Sequence, residues 1–213
     1  MPDKPWFTDV MLKMFQKWLG GFAAACVKRE KPLIIAVTGA VGKSSTKQMI
    51  GALFGYEGDK RTVRVSQKNY NNELGVPLTI FNTEAPGRSI GAWFWLLQKA
   101  WLCSIGVFET CPDILVLEMG ADKPGDLKYL TKMAPPSVSV ITAVMPEGEG
   151  LAPVHWANYE SAKDIVKEKA ELLRALKKTG AAILNADDAS VFGMRHETEA
   201  HILSFGEVDT ADV

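Results

Sequence analysis

Between Trp6 and Val27 apolar residues recur at Phe7, Val10, Met11, Met14, Phe15, Trp18, Leu19, Phe22, Ala23, Cys26 and Val27, while Lys13, Gln16 and Lys17 fall off the stripe. Steps of three and four over that distance predict one amphipathic helix of about six turns. The charged run Lys28-Arg29-Glu30-Lys31-Pro32 closes it. A second apolar stretch, Ile90 to Phe108, carries Trp93, Trp95 and Trp101 and is broken by Gln98 and Lys99. Two readings stand for both stretches. The helices pack on the domain or on a missing partner, or they lie peripherally at the inner face of a membrane with tryptophans at headgroup level. Neither stretch reaches about 18 uninterrupted apolar residues, so a spanning helix is not expected. Asp3 comes early and no apolar run with a cleavage site follows, so no secretory signal is expected either.

Beyond Pro32 the pattern changes to short apolar runs separated by longer segments. Leu33–Thr38, Thr62–Ser66, Asp113–Leu117 ending in Glu118, Ser137–Val144, Ala181–Leu184 and His201–Phe205 read as strands. Lys43 to about Phe54 and Glu160–Lys178 read as helices, and Asn69–Gly75 as a polar loop. Strands alternating with helices predict an α/β fold, a P-loop-type, mostly parallel sheet with helices on both faces, preceded by the amphipathic helix. The expected division is a helical segment 1–31 and an α/β domain 32–213. Ligands of such sheets bind beyond the carboxyl ends of the strands.

At 213 residues, 47% hydrophobic and 23% charged, the chain has enough apolar material for one sizeable core. Its formal net charge of −1 gives no broad electrostatic hold on nucleic acid. Cys26, Cys103 and Cys111 have no CxxC spacing and cannot all pair, which points to a reducing, cytoplasmic setting.

The chemistry begins at Thr38-Gly39-Ala40-Val41-Gly42-Lys43-Ser44-Ser45, between a predicted strand and a predicted helix. Glycines let the backbone curl so that N–H groups face phosphate oxygens, and the helix N-terminus adds positive potential. Lys43 is then placed for the outer phosphates and the Ser44 hydroxyl for Mg²⁺. The usual pattern has one more glycine at its start, where this chain has Val37. Glu118 closes an apolar strand and precedes Met119-Gly120, a place from which a carboxylate reaches the nucleotide's metal.

The helix from Glu160 carries a second signal. Its apolar stripe runs through Ala162, Ile165, Val166, Leu172, Leu173 and Leu176, and Lys169 lies on that stripe, seven residues from both Ala162 and Leu176. An inward lysine is costly unless paired or neutral, and burial favours the neutral amine. A neutral amine can take up carbon dioxide as a carbamate, an anionic metal ligand. The plainer alternative is a lysine that snorkels from the edge of the stripe.

Together these segments resemble the Mur ligases. Val37–Thr46 is similar to that family's shortened phosphate loop. Asn69-Tyr70-Asn71-Asn72-Glu73-Leu74-Gly75-Val76-Pro77 and Leu117-Glu118-Met119-Gly120-Ala121-Asp122-Lys123-Pro124-Gly125-Asp126 resemble the signatures of the branch that adds D-alanyl-D-alanine to a peptidoglycan precursor. Lys167–Leu172 resembles the segment bearing the family's carbamylated lysine, and Asn185-Ala186-Asp187-Asp188 its nucleotide-side motif. The resemblance covers roughly Pro32 to Val213, with the motifs in family order.

That resemblance implies an ATP-dependent ligase working through an acyl phosphate with two Mg²⁺ ions. Its substrates are a nucleotide-sugar peptide precursor and an amino acid or dipeptide. It places Thr38, Gly39, Ala40, Val41, Gly42, Lys43, Ser44, Ser45, Asn185 and Asp188 at ATP, and Asn69, Asn71 and Asn72 at the precursor. Lys43, Glu118, His155 and Lys169 become catalytic, with Ser44, Glu118, His155 and carbamylated Lys169 as metal ligands.

The chain departs from the family at Ala143, where an asparagine is usual, and in the stretch Met145–Ala152, which reads as an insertion carrying Glu147 and Glu149. The family's precursor-binding N-terminal domain and its C-terminal domain are not evident, and a longer chain or a partner would supply them. Three competing readings follow: a folylpolyglutamate- or cyanophycin-synthetase-like ligase, a non-catalytic ATP-binding module that needs a partner, and a simple P-loop kinase.

Overall fold

Residues 6–55, 60–67, 70–87, 89–144, 158–208 and 211–213 are described by a computed structural model of the chain. The elements run α1 (Trp6–Glu30), β1 (Leu33–Thr38), α2 (Lys43–Phe54), β2 (Val63–Val65), α3 (Gly75–Ile80), α4 (Ile90–Ser104), β3 (Ile114–Glu118), α5 (Asp126–Met133), β4 (Val138–Ile141), α6 (Ala162–Arg174), β5 (Ala181–Asn185), α7 (Ala189–Gly193) and β6 (His201–Phe205). All six strands are parallel, in the order β2-β3-β1-β4-β5-β6. The order reverses at β1, whose neighbours are β3 and β4. A crevice opens at such a reversal, beyond the carboxyl ends of the strands.

Both sheet faces are covered, which is why the strands read as continuous apolar runs rather than alternating ones. Ile34 and Ala36 of β1 face a core built with α1, α3, α4 and α5, whereas Ile35 and Val37 face the opposite side, with Ile50 and Phe54 of α2. A third cluster joins Ile141, Ala182 and Leu184 to Ile165 and Leu173 of α6 and to Val191 of α7. Gly51 allows α2 to approach the sheet, since a Cβ there would stand 2.4 Å from Val65 Cγ2.

The first helix is not a free appendage. Phe15, Leu19, Ala23 and Cys26 are buried with Trp93, Leu96 and Ala100 of α4 and with Leu130 and Met133 of α5. The outer faces of α1 and α4 remain open, with Trp18 48%, Trp95 62% and Trp101 48% exposed. Among the described residues no helix is long and apolar enough to cross a membrane.

β4 and α6 differ in their bounds from the sequence expectation for local reasons. β4 ends at Ile141 rather than Val144, because the next residues leave the ladder to clasp the phosphate loop: Thr142 N donates to Thr38 O (3.0 Å) and Ala143 O accepts from Ala40 N (2.7 Å). α6 begins after Ser161, whose hydroxyl caps Asp164 N at 3.3 Å, and stops at Arg174, four residues before Lys178. Three short helices, α3, α5 and α7, lie where no helix was expected.

Candidate active site

The loop between β1 and α2 takes a shape that only glycine tolerates at two points. Gly39 has φ 154°, and a Cβ on it would lie 2.0 Å from Thr142 Oγ1; Gly42, at φ 81°, is the N-cap of α2. Thr142 Oγ1 bonds Val41 O at 2.6 Å and so pins the loop from β4. Lys43 folds back over this turn, donating to Gly39 O (2.8 Å) and Ala40 O (3.0 Å). Burial pushes its ammonium below the usual lysine range, against the opposing pull of Glu118 and Asp122. Among the described residues Thr38 Oγ1, buried at the base of the loop, has no hydrogen-bond partner.

Glu118, 2% exposed at the carboxyl end of β3, is the hub of the site. Its Oε2 lies 2.7 Å from Lys47 Nζ and accepts from Ser44 Oγ at 2.9 Å, while Oε1 accepts from Asn71 Nδ2 at 3.1 Å. Burial alone raises a carboxyl's pKa, but the hydrogen bonds from Lys47, Asn71 and Ser44 outweigh it and hold Glu118 below the usual range. The backbone is fixed as well, since Glu118 N donates to Ser66 Oγ at 2.8 Å.

Lys169 points inward, as its place on the stripe required: it is 5% exposed. Among the described residues its amine has no hydrogen bond or ion pair. Burial first, then the charge of Lys43, pulls it down from 10.5 to about 8, with Glu168 and Asp122 opposing. Its neighbour Glu168 is also buried, and its carboxylate caps α5 by accepting from Gly125 N and Leu127 N, both at 2.8 Å.

These groups share one cavity of about 570 Å³. The loop contributes Gly39, Ala40, Gly42, Lys43, Ser44 and Ser45; Asn71, Asn72, Glu118, Asp122 and Lys169 complete the wall. Lys43, the loop amides and the start of α2 suit a polyphosphate, and Ser44 with Glu118 offers hard oxygen donors suited to Mg²⁺. Among the described residues no group of three or more His, Cys, Asp or Glu side chains gathers as it would for a protein-only metal cage.

Several predicted site residues hold backbone. Asn72 Oδ1 accepts from Gly75 N at 2.9 Å at the start of α3, although Asn72 also borders the cavity. Asn185 Nδ2 donates to Thr142 O (2.8 Å), and Asp188 Oδ2 accepts from Val144 N (2.6 Å), so both secure the segment that clasps the phosphate loop. Asp188 also caps α7. Asn69, His155, Glu147 and Glu149 lie outside the described residues. Lys47, Thr142 and Glu168 were not anticipated.

A parallel α/β sheet with a glycine turn clasped at its switch point defines a P-loop nucleotide-binding domain. The Mur ligase middle domain family matches residues 37–92 and 104–213, and the chain belongs to that family. A UDP-N-acetylmuramoyl-tripeptide–D-alanyl-D-alanine ligase of Mycobacterium tuberculosis is 33% identical over 180 residues, which cover 84% of this chain and 28% of the relative. MurF ligase from Thermotoga maritima, solved in complex with ADP, is 26% identical with a TM-score of 0.66, covering 90% of this chain and 36% of that one. An FPGS of L. casei, at 17% identity and TM-score 0.51 over 89% of this chain and 49% of that one, shares the fold alone. The chain thus spans about a third of the length of the ligases it resembles.

Proposed function

We propose that residues 32–213 are the ATP-binding, catalytic domain of an amide ligase of peptidoglycan precursor synthesis, which joins D-alanyl-D-alanine to a UDP-muramyl tripeptide. The observation that carries this reading is the meeting of the phosphate loop, Glu118 and Lys169 around one cavity. The relatives' names supply the substrates; the fold shared with FPGS does not.

In this reaction the precursor's terminal carboxylate oxygen attacks the γ-phosphorus of ATP, and the bond to the departing ADP breaks. The amine of the dipeptide then attacks the acyl carbon, phosphate leaves, and the nitrogen loses a proton. The chain's part is mostly electrostatic. Loop amides and the α2 N-terminus hold the phosphates. Lys43 exchanges the carbonyls of Gly39 and Ala40 for the transferring phosphoryl group. Asn71 orients Glu118, and Asn69 and Asn72 belong with it on the precursor side. Asn185 and Asp188, assigned to the nucleotide side, act through the 142–144 segment they secure.

Magnesium would neutralise the crowded phosphate charge. Ser44 and Glu118 would hold one ion, and Glu118, His155 and a carbamate on Lys169 the other. The Lys169 amine, buried, low in pKa and without a hydrogen-bond or ion-pair partner among the described residues, is suited to carbamate formation, in which nitrogen bonds to carbon dioxide and releases a proton. Dependence on ATP and a nucleotide-sugar precursor sets the reaction in the cytoplasm.

Turnover separates this reading from its rivals. ADP release by a protein containing this chain should require both UDP-muramyl tripeptide and D-alanyl-D-alanine. Release with glutamate and a folate acceptor instead, or phosphoryl transfer without amide formation, would overturn it.

A further inference from the structure

An exposed apolar surface left unused by the ligase reading lies on α1 and α4. The family match covers residues 37–92 and 104–213, so α1 and the tryptophan-bearing part of α4 lie outside it. They pack on each other. Phe15 of α1 is the joint: its ring centroid lies 5.9 Å from Trp93, 5.8 Å from Phe94 and 6.3 Å from Trp18. Phe15 is buried, whereas Trp18 and Phe94 are 48% and 60% exposed, so the outer stripes of the two helices meet above it. Met14 extends this apolar surface along α1, and Trp95 and Trp101 extend it along α4. A patch of this kind on a folded domain marks a contact surface.

Its charge says what kind of surface it meets. Lys13 and Lys17 are exposed on α1 beside Met14 and Trp18, and Lys99 Nζ stands 5.8 Å from the Trp95 ring centroid. The segment Ile90–Ser104 contains no carboxylate. Past Ala25, α1 reaches Lys28, which with Lys31, Lys132 and Lys177 rings a cleft of about 720 Å³ that has no acidic residue in its lining. Lysine is depleted in protein–protein interfaces. Exposed indoles interleaved with lysines are instead the composition of helices that lie in an anionic interface, with rings at the acyl boundary and ammonium groups at the phosphates.

We propose that α1 and α4 together seat this domain on the surface of an anionic lipid bilayer, lying in the headgroup plane rather than crossing it. The proposal stands independently of the ligase reading, because none of these side chains lines the active-site cavity.

The test is co-sedimentation of the whole chain with vesicles of phosphatidylcholine alone or with about 30% phosphatidylglycerol. The wild type should partition at least about tenfold more strongly onto the anionic vesicles and come off in about 0.5 M salt. Trp95→Glu/Trp101→Glu, with the wild-type circular dichroism spectrum, should lose that binding; Lys13→Glu/Lys17→Glu should weaken it. No partition of the wild type, equal partition onto both vesicles, or undiminished binding by the folded tryptophan variant would overturn the proposal. A dimer of the free chain that the same tryptophan variant dissociates, without vesicle binding, would assign the face to a second copy and also overturn it.

Discussion

Lys47 Nζ lies 2.7 Å from Glu118 Oε2, and both side chains are 2% exposed. Removing one member of a buried ion pair strands the other charge, whereas replacing both by apolar groups is far better tolerated. Lys47→Met should therefore cost about 3–5 kcal/mol of unfolding free energy. Asn71 and Ser44 remain on the carboxylate and favour the lower end of that range. Lys47→Met/Glu118→Leu should recover at least half of the loss. Urea denaturation of the three proteins measures both effects; additive losses in the double variant would show that the pair is not coupled.

Lys169 gives a pH-dependent signature. Its folded-state value, about 8, lies below the ordinary 10.5, so between those values the unfolded chain holds more protons and stability rises with pH. Below pH 8 the amine is charged in both states and the folded state carries the whole cost of burying it. Lys169→Met should accordingly stabilise the chain by about 3 kcal/mol at pH 7 in carbonate-free buffer, with the gain fading toward pH 10.5. Denaturation series across that range check it. A gain independent of pH would point to packing alone.

The cap on α5 is equally open to measurement. Glu168 is 7% exposed, and its carboxylate satisfies Gly125 N and Leu127 N. Glu168→Ala should cost about 2 kcal/mol by leaving the buried Leu127 amide and the part-buried Gly125 amide without their acceptor, and Glu168→Gln, which keeps an acceptor oxygen, roughly half as much. Amide hydrogen exchange should quicken at the first turn of α5 in the alanine variant. Unchanged exchange there would remove Glu168 as the cap.

The sequence made some of this site legible and hid the rest for identifiable reasons. Lys169 could be found because six apolar residues define the stripe it interrupts. Lys47 lies on an inward stripe too, with Lys43, Ile50 and Phe54, but two lysines among four residues make that stripe look like an ordinary solvated face. Glu168 looked like a neighbour of the important lysine; its role depends on α5, a helix of eight residues that the sequence reading did not predict. Asn72, Asn185 and Asp188 show a different limit. An asparagine or aspartate in a turn serves a ligand or the backbone with the same spacing, and here each holds backbone. The strands were plain because burial on both faces leaves uninterrupted apolar runs.

Titration of the folded chain with ATP and magnesium, followed by calorimetry, tests the central claim that the glycine turn, Glu118 and Lys169 form one triphosphate pocket. The wild type should bind saturably at or below about 1 mM, and Lys43→Ala should weaken binding at least about tenfold while the protein stays folded. Absence of saturable binding by the folded wild type, or full affinity in Lys43→Ala, would contradict it.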